Sequence, residues 1–195
     1  PIIAGLGLFG VAVALGAQDL FKNLISGILV LVEKRFKIGD WIYVEDIIEG
    51  VVERIGFRST VIRKFDKSIA TIPNASFAEN AVVNITETTN WRISWIITLQ
   101  YSSTVEQLKN IRDQIEKFIT TNKDFKIGED TEHAVRIDKF SDSSIDMYIR
   151  CFTVTDDWGE WLKIKERLAV KIKEIVESNG ASFAFPSTSI YVEKN

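Results

Sequence analysis

Positions 1–17 carry no charged or strongly polar side chain, and charges then follow at ordinary density from Asp19 onward. Such a run is slightly short of the ~20 residues a helix needs to cross a bilayer. The chain begins with Pro1 rather than Met. It lacks the basic start and small-residue cleavage site of a signal peptide, so the run predicts a membrane helix cut off at its front. On a helical wheel, residues 2–18 sort by size rather than by polarity. Leu8, Val11, Leu15 and Gln18 make one narrow stripe. Gly5, Ala12 and Gly16 lie on one flank of it, and Gly7, Gly10, Ala14 and Ala17 on the other. Bulky Ile2, Leu6, Phe9, Val13 and Leu20 take the opposite side. In water each such glycine costs a helix about 1 kcal/mol relative to alanine, a cost that close packing of small faces in a membrane offsets. Two small flanks beside one stripe suit a helix that meets a like neighbour on both sides, which closes a ring. A helix buried in an ordinary bundle is the other reading of the same wheel.

A second apolar stretch, 24–32, is interrupted by Gly27 and followed by Glu33-Lys34-Arg35 and Lys37. It is too short for another crossing and predicts an amphipathic continuation near the membrane interface. The Gln18-Asp19 step and Gly27 are the candidate bends. Basic residues after a membrane segment favour the cytoplasmic side.

From Asp40 the period changes. Short β-rich runs at 41–44, 51–55, 60–65, 69–72 and 81–85 are separated by Gly50, Asp66-Lys67-Ser68 and Pro73-Asn74, with Gly39 ahead of the first. Five short strands at this spacing predict a small curled sheet or barrel. Residues 91–195 read as strand, helix, strand, strand, helix, strand. The first strand spans 91–101, and Thr104 can cap a helix with Leu108, Ile111, Ile115, Phe118 and Ile119 on one face. A hairpin, 133–140 and 144–154, turns at Ser141-Asp142-Ser143. Asp157 with Glu160 predicts a capping box for a long helix through Leu162, Leu168, Ile172, Ile175 and Val176. Asn179-Gly180 ends that helix, and 189–192 supplies the last strand. This order suits a ferredoxin-like α/β layer, a fold that by itself implies no chemistry.

Composition adds mainly exclusions. A net charge of −3 over 195 residues leaves no basic footprint for nucleic acid. The single Cys151 allows no intrachain disulfide and fits a reducing compartment. The single His133 gives no metal cluster and no His-based triad; it reads as a strand-edge histidine. Cys151 reads as a small core residue. The acidic group Asp138, Asp142, Asp146, Asp156 and Asp157 lacks Ca²⁺-loop spacing and is explained by capping and turns. Trp158 and Trp161 read as core or subunit contacts. No residue has a catalytic assignment, and no metal or cofactor is expected.

Blocks of sequence then carry a resemblance. They are Gln18-Asp19-Leu20-Phe21-Lys22-Asn23-Leu24-Ile25-Ser26-Gly27, Arg35-Phe36-Lys37-Ile38-Gly39-Asp40-Trp41-Ile42, Ile48-Glu49-Gly50-Val51-Val52-Glu53-Arg54-Ile55-Gly56, Arg58-Ser59-Thr60, Phe65-Asp66 and Ile72-Pro73-Asn74. In their order and spacing they resemble the small-conductance mechanosensitive channel (MscS) family. Cys151-Phe152-Thr153, Trp158-Gly159-Glu160-Trp161-Leu162 and Phe183-Ala184-Phe185-Pro186 look like the branch with YnaI-type members. The resemblance implies three parts: a pore-lining transmembrane helix with an interfacial continuation (1–35), an Sm-like β domain (36–89) and the ferredoxin-like α/β domain (90–195). It implies a homoheptamer, a multimeric ring opened by membrane tension to release ions and small solutes on osmotic downshock. Upstream tension-sensing helices, a bacterial inner (cytoplasmic) membrane location and soluble domains forming a cytoplasmic vestibule go with it. By position, the constriction rings fall on Val11 and Leu15, with Leu8 and Gln18 also lining the pore. Asp19 replaces the family's usual glycine at one bend, while Gly27 keeps the other. Partners would be identical subunits, membrane lipid, ions and small solutes. Because Sm-like rings elsewhere bind RNA, an RNA-binding ring is the alternative reading; the charge balance and the membrane helix weigh against it.

Overall fold

The structure, a computed structural model, describes residues 2–186, with side chains described from Gly7 onward except Leu8. The chain divides into two compact units, 1–88 and 89–195.

The first unit begins with α1, Ile2–Glu33, a helix of 32 residues and therefore about 48 Å long. It runs without interruption through Asp19 and Gly27, the two positions at which the sequence suggests a bend. It stops where Lys34 takes a left-handed backbone, φ 51°, which turns the chain off the helix axis. A five-stranded antiparallel sheet follows, formed by β1 (Trp41–Val44), β2 (Ile48–Ile55), β3 (Ser59–Arg63), β4 (Ile69–Pro73) and β5 (Val83–Asn84), in spatial order β4-β3-β2-β1-β5. The short helix α2, Asn74–Glu79, links the last two strands.

Gly50 does not break the chain as the sequence suggests; it lies inside β2, paired with Ile42. A Cβ there would come within 2.5 Å of the Arg63 carbonyl oxygen and 2.8 Å of Ile62 Cγ2. The glycine is therefore what lets β3 wrap tightly over β2. A register shift between Val52 and Arg54 adds to the curl. Ile42, Val44, Ile48, Val52 and Ile62 fill the concave side together with Phe36, Phe77 and Val30 of α1.

The second unit is a sheet covered by two helices. Its elements are β6 (Arg92–Leu99), α3 (Val105–Thr121), β7 (Phe125–Lys126), β8 (Ala134–Phe140), β9 (Ile145–Thr153) and α4 (Trp158–Ser178). β9 is central, antiparallel to β6 on one side and to β8 and the short β7 on the other. Beyond β6, Phe183 bridges Leu99 in antiparallel sense, the ferredoxin-like order. The outer edge of β6 is thus taken by 182–184, with Gln100 N–H donating to Ser182 and Ala184 N–H to Thr98. The strand expected at 189–192 lies outside the described residues.

Both helix starts carry the predicted caps, with one correction. Thr104 and Gln107 form a reciprocal capping box at α3. At α4 Asp157 accepts from the Glu160 N–H at 2.7 Å, but the Glu160 carboxylate turns instead to Lys163 and Arg167. Ion pairing outside the helix end competes with the return bond. The buried face of α4 also differs by one position: Trp161 and Ile164 are buried, whereas Leu162 is 45% exposed. Leu162 stands about 100° around the helix from Trp161, and the larger ring takes the core site.

Candidate pore helix and its clamp to the β domain

α1 has two halves with opposite surroundings. From Gly7 to Lys22 every described side chain is exposed apart from the half-buried Ala17. Val11 and Leu15, the predicted constriction residues, are 57% and 66% exposed, and Gln18 is also exposed. The helical backbone keeps Leu8, Val11, Leu15 and Gln18 on one stripe; the Leu8 side chain lies outside the described ones. On the flanks, a Cβ added at Gly7, Gly10 or Gly16 would meet nothing within 4 Å. Ala12 and Ala14 are exposed as well, and the side of Gly5 lies outside the described positions. Phe9, Val13 and Leu20 on the far side are equally bare. Residues 9–33 are long and apolar enough to cross a membrane, about 38 Å of helix for about 30 Å of hydrocarbon.

The lower half is held. Ser26, Gly27 and Val30 are buried, and Asn23 and Leu24 half-buried, whereas Ile25, Ile28, Leu31 and Val32 are all more than half exposed. The helix therefore turns Asn23, Ser26, Gly27 and Val30 toward its own β domain and most of its bulky side chains outward.

The close approach is made at Gly27. A Cβ there would lie 2.5 Å from Asn74 Nδ2 and 2.7 Å from the Phe57 carbonyl oxygen. Asn74 is fully buried, and its side chain is committed on both ends. Its Nδ2 donates to the carbonyls of Gly56 (2.9 Å) and Phe57 (3.1 Å), and its Oδ1 accepts from the buried Thr60 hydroxyl at 2.9 Å. The Asn74 N–H also donates to the Arg58 carbonyl. One amide thereby ties the start of α2 to the β2–β3 turn. A buried amide of this kind persists only when its donors and acceptors are matched.

Asn23 makes a second tie. Its Nδ2 donates to the Asp19 carbonyl at 2.8 Å, and its Oδ1 accepts from the Ala75 N–H at 3.0 Å. Lys22 forms an ion pair with Glu79 at the other end of α2. Arg35 Nη1, just past the helix, donates to the Phe77 carbonyl at 3.1 Å. Asp19 itself is exposed.

These ties bring together sequence blocks that look unrelated in the chain: Asn23 and Gly27, Gly56, Thr60, and Pro73-Asn74. The stripe and its flanks could be read from the wheel. Asn23, Thr60 and Asn74 stand in the blocks that carry the resemblance, but nothing in the chain shows that the fold places them together. Gly27 is legible from the chain as a candidate bend; the structure adds that it is a packing glycine.

The second unit holds the other residues considered. His133 Nε2 lies 3.6 Å from Glu116 Oε1, which also pairs with Arg136 at 3.0 Å. Cys151 is fully buried, and burial pushes its thiol up to about 12. The Asp146 carboxylate accepts from the hydroxyls of Ser144 (2.6 Å) and Ser141 (2.7 Å); these bonds hold it below the ordinary aspartate range and close the β8–β9 turn. Trp91, Trp158 and Trp161 pack as one aromatic cluster, ring centroids 4.5–5.6 Å apart.

Two family models match this chain. The β-domain of mechanosensitive ion channels matches residues 19–87, and the C-terminal region of the mechanosensitive ion channel MscS matches residues 93–183. An uncharacterized MscS family protein of Aquifex aeolicus is 43% identical over 193 residues, covering 99% of this chain and 52% of that protein. The low conductance mechanosensitive channel YnaI of Escherichia coli is 36% identical over 188 residues, covering 96% and 54%. The chain thus spans about half the length of these curated relatives. Among solved structures, Helicobacter pylori MscS in its closed state is similar with a TM-score of 0.83 at 28% identity, covering all of this chain and 74% of that one.

Proposed function

This chain belongs to the MscS family of mechanosensitive channels, and from that premise we propose that it is the pore-and-cytoplasmic part of a subunit whose ring opens under membrane tension. The observation that carries this reading is the upper half of α1. It is an apolar helix whose described side chains are exposed apart from Ala17, with a stripe of larger residues between two small flanks. Like neighbours on both flanks would cover the small faces and turn Leu8, Val11, Leu15 and Gln18 inward. The helices of the upstream segment or lipid would cover Phe9, Val13 and Leu20.

Rings of Val11 and Leu15 then form an apolar constriction that blocks ions by dewetting. Tension favours the state of larger area, so outward tilting of the helices wets the ring and lets ions and small solutes out on osmotic downshock. Taking the ring as a heptamer, a shift from mostly closed to mostly open needs about 5.5 kcal/mol in all, or ~0.8 kcal/mol per subunit. The clamp fixes where the helix can change shape. Gly27 is pressed against Asn74 and Phe57, so a bend between states falls nearer Gln18 and Asp19, whose side chains are exposed. We assign the subunit to the bacterial inner membrane, with both soluble domains in the cytoplasm.

Patch recording from liposomes containing the full-length protein, under graded suction, tests this directly. Currents that rise with suction are expected. A full-length protein that inserts and assembles yet passes no tension-dependent current refutes the channel reading.

A further inference from the structure

On the outer face of the β3–β4 pair a recess of about 260 Å³ is lined by Asn23, Arg58, Ser59, Thr71 and Pro73. Its wall is built by strand register. Ser59 pairs with Pro73 and Val61 with Thr71, so Ser59, Thr71 and Pro73 share the face opposite the buried Thr60 and Ile62. Arg58 is exposed, but its backbone is fixed by the bond from Asn74 N–H to its carbonyl. Asn23 closes the recess from α1, with its own amide already spent on Asp19 and Ala75.

What remains in the recess is a set of donors. Among the described residues the Arg58 guanidinium makes no hydrogen bond or ion pair, and the Ser59 and Thr71 hydroxyls make none either. No carboxylate lines the space. A guanidinium presents a planar fork of N–H groups matched to two oxygens of one oxyanion, and flanking hydroxyls supply further donors to it. The recess also sits beside Asn23, one turn past Gln18-Asp19, where the apolar run gives way to charge.

From this geometry we infer that Arg58, Ser59 and Thr71 form a binding site for a phosphate group. The source that fits its position is the headgroup of a phospholipid; free phosphate carries the same chemistry. The inference rests on the membrane reading above only for the choice of source.

Native mass spectrometry of the detergent-solubilised full-length protein, titrated separately with phosphatidylglycerol, diacylglycerol and inorganic phosphate, tests it. Phosphatidylglycerol should bind wild type roughly tenfold or more tightly than Arg58→Gln, the loss expected for one charge-assisted bidentate contact. Arg58→Lys should fall between them, and Ser59→Ala with Thr71→Val should weaken binding by a few-fold. Diacylglycerol, which lacks the phosphate, should not distinguish the variants. Inorganic phosphate binding with the same dependence on Arg58 would assign the site to soluble phosphate. Arg54→Gln removes another exposed basic side chain, on β2, and serves as the charge control. Equal binding by Arg58→Gln and wild type, or an equal loss in Arg54→Gln, overturns the site. Suction-evoked currents recorded on the same variants separate the two claims. Retained phospholipid without currents refutes the channel, and currents with unchanged phospholipid binding in Arg58→Gln refute the site.

Discussion

Replacing Gly27 by alanine opposes two effects whose magnitudes can be compared. Inside a helix, alanine is favoured over glycine by about 1 kcal/mol. Against this, the new methyl would stand 2.5 Å from Asn74 Nδ2 and 2.7 Å from the Phe57 carbonyl oxygen, distances at which something must move. Neither neighbour is free to do so. Asn74 is fully buried and bonded to Gly56, Phe57 and Thr60, and Phe57 contributes a backbone atom. Overpacking of this kind costs about 1–3 kcal/mol, and stranding one buried partner of Asn74 costs about 1–3 kcal/mol more. The clash outweighs the propensity, so Gly27→Ala should loosen the clamp by about 1–5 kcal/mol. Hydrogen exchange of the full-length protein reads this at two amides, Asn74 donating to Arg58 and Ala75 donating to Asn23. Both should exchange faster in the variant. Asn74→Ala should also be destabilising alone, yet it makes room for the methyl. The double variant should therefore lose less than the sum of the single losses, by about 0.5–3 kcal/mol. Unchanged or slower exchange in Gly27→Ala, or strictly additive losses, would mean that α1 does not press on Asn74.

Leu15→Ser should lower the tension needed for opening, because a polar ring wets more readily; unchanged thresholds in patch recordings would remove Leu15 from the constriction. Cys151, fully buried with its thiol raised to about 12, should resist alkylation by iodoacetamide at pH 8 in the native protein and react after denaturation. Rapid native labelling would show that the β9 core opens. Asp146 is held below its ordinary value of 3.8 chiefly by the Ser144 and Ser141 hydroxyls. Its contribution is therefore complete above about pH 4–5 and is lost as pH falls through its lowered pKa. Denaturant melts of the second unit's tryptophan fluorescence from pH 2 to 7 should show a shallower acid decline in Asp146→Asn; parallel declines would remove the carboxylate from that turn.

Local rules made much of the fold legible. Among the described residues alternation located the strands except the short β7, and Thr104 and Asp157 announced their helices. The misses share one cause. Local rules read Gly50 as a breaker and Gly27 only as a candidate bend, because a glycine's local meaning is freedom. What the chain does not show is the approach each glycine admits from elsewhere in the sequence: Arg63 over Gly50, which stays inside β2, and Asn74 over Gly27. Leu162 and the Glu160 return bond failed for a related reason, since Trp161 and Arg167 offered better partners than helix periodicity or the cap alone. The recess at Arg58 is not legible from the chain, because it exists only where β3, β4 and α1 come together.

The Asn74 node also has a consequence for how such chains can diverge. Its amide measures the space left by residue 27, the position of the Gly56 and Phe57 carbonyls and the reach of the Thr60 hydroxyl, all at once. A change at any one of them alone is a defect, whereas certain joint changes are neutral. Positions 27, 60 and 74 should therefore drift through descent as a linked set. A lineage that shortens residue 74 is the one in which residue 27 becomes free to carry a side chain.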